Sequence, residues 1–209
     1  MKFALFGATG RTGQPLVEQA LACDHEVVAL VRTPSQLTFS HPKLSVLQGD
    51  VLNQAEVEQS IQGTQAVITV IGHSKNTPRT LLAVGAQHIL TAMQQQGVQR
   101  LICLTGAGVA DPHDRPRLVN HLFTTALKLL AADVLADSEQ QYAAIRHSSL
   151  DWTVVRVPRL INGPHTGQYR VGWVGVGTGT VIRRTDVADF LLRQLTDETY
   201  LRQAPMISN

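Results

Sequence analysis

Three glycines spaced by two residues each, Gly7-Ala-Thr-Gly10-Arg-Thr-Gly13, lie between a short apolar run and a segment of helical periodicity. The run, Lys2-Phe-Ala-Leu-Phe6, reads as a buried strand. Leu16, Val17, Ala20 and Leu21 then recur on one helical face, and Pro15 is tolerated in a first turn. A turn of this composition removes the side chains that would keep a large anion away from the backbone. The helix start beyond it offers free N–H groups and a partial positive charge. The spacing is a variant of the G-x-G-x-x-G dinucleotide fingerprint, and no Gly-Lys-Ser/Thr follows to make it a Walker loop. Gly7, Thr9, Gly10, Arg11, Thr12 and Gly13 are therefore expected to hold the pyrophosphate of a dinucleotide. The alternative is a turn that is merely tight.

The rest of the chain alternates in the same way. Strands are expected at Glu26–Val31, Lys43–Leu47, Ala66–Ile71, Arg100–Leu104 and Trp152–Val157. A helix is expected over Asn53–Ile61 with Asn53 as its cap. Another should start with Thr77 as cap and Pro78 as first residue, and stop at Gly97. Residues 117–149 read as two helices broken near Asp133–Asp137, and Thr185–Leu195 as a further helix. Strands alternating with helices imply right-handed crossovers and a mostly parallel sheet, an α/β doubly wound fold. With 209 residues, a single domain is expected, in which residues 163–209 form a small C-terminal elaboration with a Gly-rich loop and hairpin.

The end of the second strand should reach the adenosine ribose. An acid about 20 residues after the glycine loop would bind the 2′-hydroxyl and favour NAD. This chain has Val31-Arg32-Thr33 there. A guanidinium can form a charge-assisted bond to a 2′-phosphate, and Thr33 can add a hydroxyl. NADPH is expected to bind better than NADH, unless Arg32 is simply a solvated surface residue.

Composition narrows the partners. A net charge of +2, with Arg183-Arg184 as the single adjacent basic pair, argues against nucleic acid. Hydrophobic content of 44% at zero mean hydropathy excludes disorder. The densest apolar run, Ala66–Ile71, is far below the roughly 20 residues of a membrane helix. Phe3–Phe6 is too short for a secretory core, which needs about seven residues. Cys23 and Cys103 form no C-x-x-C, so a cytoplasmic protein with free thiols is expected. No metal is expected; Asp111, His113 and Asp114 around Pro112 read as a polar loop, and Cys103 as inert packing. A monomer suffices, and nothing fixes the oligomeric state.

Taken together, Gly7–Gly13, Leu30-Val-Arg32, Gly49-Asp-Val-Leu52, Leu150-Asp-Trp-Thr-Val-Val-Arg-Val-Pro158, Thr166-Gly-Gln-Tyr169 and Val181–Asp186 resemble an atypical short-chain dehydrogenase/reductase of the NmrA-like type. Within that type the chain is similar to the biliverdin-IXβ reductase/flavin reductase branch. The resemblance implies a Rossmann-like domain in which Asp50 and Val51 lie against adenine, and Ile71, Gly72 and His73 pass the ribose. It puts Pro158, Arg159, Leu160 and Ile161 on the nicotinamide side. Thr105 stands where the family has a serine, and would orient the nicotinamide or bind the acceptor. Arg159, where a histidine can occur, would pair with an acceptor's anionic group or sit in solvent. Asp50 may equally be read as a turn acid, Gly72 as strand punctuation and Thr105 as a turn cap.

One departure bears on the chemistry. The wider superfamily protonates a substrate alkoxide with a Y-x-x-x-K pair, which is missing here. Tyr142 and Arg146 have the spacing, but they lie late in their helix, and an arginine replaces a lysine poorly. Tyr142 reads as packing or surface. Hydride addition to a simple ketone needs a positioned acid. Addition to a flavin, a linear tetrapyrrole such as biliverdin, or a quinone spreads the charge, and water can supply the proton. The expected function is NADPH-dependent hydride transfer to a planar acceptor (FMN, FAD, biliverdin or quinone-like). The second reading is a non-catalytic NADP(H)-sensing regulator; a sugar- or isoprenoid-type reductase or epimerase is disfavoured.

Overall fold

Strand β1 (Lys2–Phe6) is apolar on both faces because both faces are covered. Phe3 and Leu5 point into one core layer, Ala4 and Phe6 into the other. The computed structural model describes residues 1–38, 40–74, 76–116 and 131–209. The element order is β1, α1 (Gly13–Ala22), β2 (Glu26–Val31), β3 (Leu44–Gln48), α2 (Gln54–Ile61), β4 (Ala66–Thr69), α3 (Leu81–Gln96), β5 (Arg100–Gly106) and α4 (Ala132–His147). It continues with β6 (Asp151–Val157), β7 (Arg159–Ile161), β8 (Arg170–Gly172), β9 (Val181–Arg183), α5 (Arg184–Arg193) and β10 (Met206–Ser208).

The main sheet has the order β3-β2-β1-β4-β5-β6-β10-β8, all parallel except β8 against β10. β7 and β9 pair in a separate parallel ribbon. Helices α1 and α5 pack together on one face, with Leu16, Val17 and Leu191 against Phe3 and Leu5. Helices α2, α3 and α4 cover the other, with Val57, Ile89, Met93 and Ile145 against Phe6 and Leu101. This is the doubly wound α/β fold expected from the alternation. The strand order reverses direction between β1 and β4, where such sheets place a ligand crevice at their carboxyl ends.

Several boundaries differ for physical reasons. Helix α3 starts at Leu81, not at Pro78. Thr77 instead closes a turn, its hydroxyl accepting from Ser74 N. The α3 N-terminus is capped from another helix: Asp137 accepts from Leu82 N and Ala83 N, at 2.7 and 2.9 Å. Within α4 there is no break at Asp133–Asp137, since Asp137 is buried at this capping contact. The helix expected over residues 117–130 lies outside the described residues. β4 ends at Thr69, where the chain leaves the ladder to pass beneath Gly7. The Gly-rich segment, expected as a loop and hairpin, holds an isolated antiparallel bridge between Trp173 and Val176. Its strand β8 pairs with β10, which lies at the chain's end and was not expected.

Asp111, His113 and Asp114 form a polar loop that contacts the sheet. Asp114 takes a bidentate bond from the fully buried Arg156, both arms at 2.7 Å. Among the described residues no group of three or more His, Cys, Asp or Glu is placed to hold a metal. No helix among them is long and apolar enough to cross a membrane. Cys103 is buried in β5, and burial pushes its thiol up to about 12, which suits packing and not chemistry.

Candidate functional site

The ends of β1 to β6 open into a cavity of about 740 Å³. Its floor is the glycine turn. Gly7 has φ +94°, and a Cβ there would stand 2.9 Å from the Val70 carbonyl carbon. Only glycine meets both conditions, because the chain after β4 crosses this point. Gly10 N donates to Gly7 O at 3.0 Å and closes the turn. Gly13 has a different role. A Cβ on it would overlap Gly7 O at 2.1 Å, so it lets α1 start directly against the strand end. It is buried and is not among the residues that line the cavity. Thr12 makes no side-chain cap, and no acid occupies the first turn of α1. Gln14 N donates to Gly10 O at 3.0 Å and Pro15 has no N–H, so the N–H groups offered to an anion at the cavity are those of the turn, at Arg11 and Thr12. Thr9, Gly10, Arg11 and Thr12 all line it.

At the far end, Arg32 lies exposed on the wall. Thr33 is exposed, precedes a 3₁₀ turn, Pro34–Gln36, and is not among the residues that line the cavity. Asp50 makes the turn contact, its carboxylate accepting from Leu52 N at 3.0 Å, and stands on the cavity wall. Val51 is buried in the wall, its carbonyl held by His88 Nδ1 at 2.9 Å.

Ile71, Gly72 and His73 form the next stretch of wall. His73 Nε2 donates to Asp137 Oδ2 at 2.8 Å. The same carboxylate caps α3, so one buried acid ties the β4–α3 loop, α3 and α4 together. The sequence showed His73 beside the site but not its partner, 64 residues away.

Thr105, at the end of β5, is buried, and its Oγ1 has no hydrogen-bond partner among the described residues. A buried hydroxyl left unpaired costs free energy, so a bound ligand that pairs with it gains specificity. Pro158 and Leu160 line the cavity, while Arg159 and Ile161 do not. Strand alternation in β7 explains this: with Leu160 turned in, its two neighbours turn out. Arg159 and Ile161 thus stand beside the lining residues Pro158 and Leu160 without lining the cavity themselves. Arg159 is exposed.

Sequence reasoning missed the opposite wall. Leu81 and Leu82 of α3, Val109, and Val134, Leu135 and Ser138 of α4 line it. They come from segments far apart in sequence, and each looks like ordinary core periodicity on its own. Arg184 was also missed as a lining residue. Tyr142 is buried away from the cavity, and its hydroxyl donates to Asp111 Oδ2 at 2.8 Å.

The residues present fit a nicotinamide dinucleotide: a glycine cradle that a Cβ would fill, an uncapped helix start, and an orphaned hydroxyl, all on one cavity. Comparison with known proteins agrees. The chain is 30% identical over 162 residues to the oxidoreductase aflX of Aspergillus parasiticus, covering 70% of this chain and 60% of that protein. It thus spans about three-fifths of the length of the curated relatives it matches. Its fold superposes on a Veillonella parvula short-chain dehydrogenase/reductase in complex with NADP, with TM-score 0.84, 19% identity, and coverage of 100% of this chain and 94% of that one. It also superposes on ChuY, an anaerobillin reductase from Escherichia coli O157:H7, with TM-score 0.78, 20% identity, and coverage of 100% and 97%. The family model described as NAD(P)H-binding matches residues 7–198. Because that match begins at the first glycine of the turn and runs past the end of α5, the chain belongs to the NAD(P)H-binding family.

Proposed function

We propose that the chain is an NADPH-dependent oxidoreductase that reduces a planar conjugated acceptor, a flavin or a linear tetrapyrrole such as biliverdin. The coenzyme, when bound, supplies a hydride. The protein's part is to bind, orient and leave one face open. In this reading the turn from Gly7 to Thr12 and the α1 start hold the diphosphate, and Arg32 takes the 2′-phosphate. Asp50 and Val51 lie beside adenine, with Ile71, Gly72 and His73 along the ribose. Thr105, Pro158 and Leu160 flank the nicotinamide, and Thr105 Oγ1 is free to bond it or the acceptor. Leu81, Leu82, Val109 and Leu135 offer an apolar surface on which a flat acceptor can stack.

The observation that carries the reading is the absence of a proton donor of the Tyr-Lys kind. Neither residue type occurs among the described residues lining the cavity. Tyr142, the one tyrosine with a suggestive spacing, gives its hydroxyl to Asp111. Thr105 has no lysine or tyrosine beside it among the described lining residues to restore a proton given to an alkoxide. An acceptor that delocalises the added charge can take its proton from water instead. ChuY's description as an anaerobillin reductase lends support to a tetrapyrrole within the class.

The test mixes purified protein with NADPH and FMN, biliverdin or a quinone, and follows loss of the reduced-nicotinamide absorbance. Acceptor-dependent oxidation, faster with NADPH than with NADH, is the expected result. Coenzyme binding without turnover on any of these acceptors would overturn it and leave a dinucleotide-sensing regulator.

A further inference from the structure

Among the described residues two arginines, Arg156 and Arg184, are buried, and they are satisfied very differently. Arg156 is fully buried and spends its donors on Ala204 O, Val109 O and both oxygens of Asp114. Arg184 is 9% exposed, and its one hydrogen bond among the described residues runs from Nη1 to Asn162 Oδ1 at 2.8 Å. No ion pair to Arg184 exists among those residues; the nearby Asp186 lies 3.9 Å from Arg183 instead. A guanidinium has five donors, and a buried charge without a counter-charge is costly.

Its surroundings add to that cost. Arg184 opens helix α5, the end of a helix dipole that disfavours a cation. The neighbouring charge is Arg11, on the glycine turn. Burial first, and Arg11 second, loosen the hold of Arg184 on its proton. The placement is nevertheless fixed: Gln19 of α1 donates to Thr185 O at 2.9 Å and pins the first turn of α5 beside α1. Both arginines line the same cavity as the uncapped start of α1.

We infer that Arg184 and Arg11 complete, with the α1 start, an anion site whose ligand is the diphosphate of the nicotinamide coenzyme. The inference rests on the dinucleotide reading above and deepens it. A diphosphate carries two negative charges, matching two guanidiniums, and the glycine turn leaves the room for it. An anionic group on the acceptor is the competing source of negative charge, and the experiment separates the two.

Calorimetric titration with NADH and with NADPH is carried out on wild type, Arg184→Gln and Arg184→Lys. Loss of a charge-assisted contact should weaken both coenzymes by the same factor, about 10- to 100-fold, with partial recovery in the lysine variant. Sodium pyrophosphate should raise the melting temperature of wild type more than that of Arg184→Gln. Should Arg184→Gln not fold, Arg11→Gln, at an exposed position, carries the test, with a smaller and again equal loss for both coenzymes. Unchanged affinity for both coenzymes overturns the inference. So does a defect confined to the KM of FMN and absent with an uncharged quinone. A wild type that binds neither coenzyme overturns the dinucleotide reading itself, a result distinct from either.

Discussion

Tyr142 and Asp111 are joined by a 2.8 Å hydrogen bond between the phenol and a carboxylate oxygen, on the flank of α4 that meets Trp152 edge-to-face. Burial, and then the bond to Asp111, hold the phenol proton more tightly than in free tyrosine. A group so committed serves stability, not proton transfer. Tyr142→Phe should therefore keep its acceptor-dependent NADPH oxidation within about twofold of wild type, while unfolding costs about 1–3 kcal/mol less because Asp111 is left short of a donor. A rate loss of a hundredfold in the well-folded variant would restore tyrosine to the chemistry.

Arg32 offers a separable contact. It is exposed on the cavity wall at the end of β2, where no carboxylate replaces it. Arg32→Ala should weaken NADPH by about tenfold or more and leave NADH nearly unchanged, since only NADPH carries the 2′-phosphate. Dissociation constants for the two coenzymes check this; an equal loss for both would contradict it.

Arg156 and Asp114 form a buried ion pair, with side chains 0% and 11% exposed. Asp114 also accepts from Val174 N, and Arg156 also donates to Val109 O on the cavity wall. Removing the acid alone strands a buried cation. Asp114→Ala should lose about 3–5 kcal/mol in denaturant titration and perturb the acceptor KM through Val109. Replacing both partners with apolar residues should recover much of the stability, because neither charge is then left unpaired. A single variant as stable as wild type would contradict the pairing.

How far the site could be read from the chain depended on whether its signal was local. Gly7, Gly10 and Gly13 act within one turn, so their spacing already showed a strand passing into a helix. The Asn53 cap was legible for the same reason: its side chain accepts from Ala55 N, two residues on. The α3 start was misplaced because its cap, Asp137, comes from another helix, and Thr77-Pro78 imitates a local one. Arg159 could not be placed from the sequence, since only the pairing of β7 with β9 fixes which residues of β7 turn inward. Arg156 and Arg184 look alike as isolated arginines in a sequence; burial and the presence or absence of Asp114 distinguish them.

Asp186 ties the C-terminal elaboration together and should make it acid-sensitive. The carboxylate is fully buried and accepts from Thr166 N, Thr166 Oγ1, Gly167 N and Asn209 Nδ2 at 2.8, 2.9, 3.1 and 2.9 Å. Burial alone would raise its pKa, but the bonds from Thr166, Asn209 and Gly167 together outweigh it and hold it below the ordinary 3.8. A carboxyl more acidic in the folded state than in the unfolded one stabilises the fold above its unfolded pKa. That contribution disappears as pH falls through the lower, folded value. The melting temperature of wild type should thus fall more steeply below about pH 4 than that of Asp186→Asn, which starts lower at neutral pH and carries no charge to lose. Parallel pH profiles for the two proteins would show that Asp186 does not couple protonation to folding.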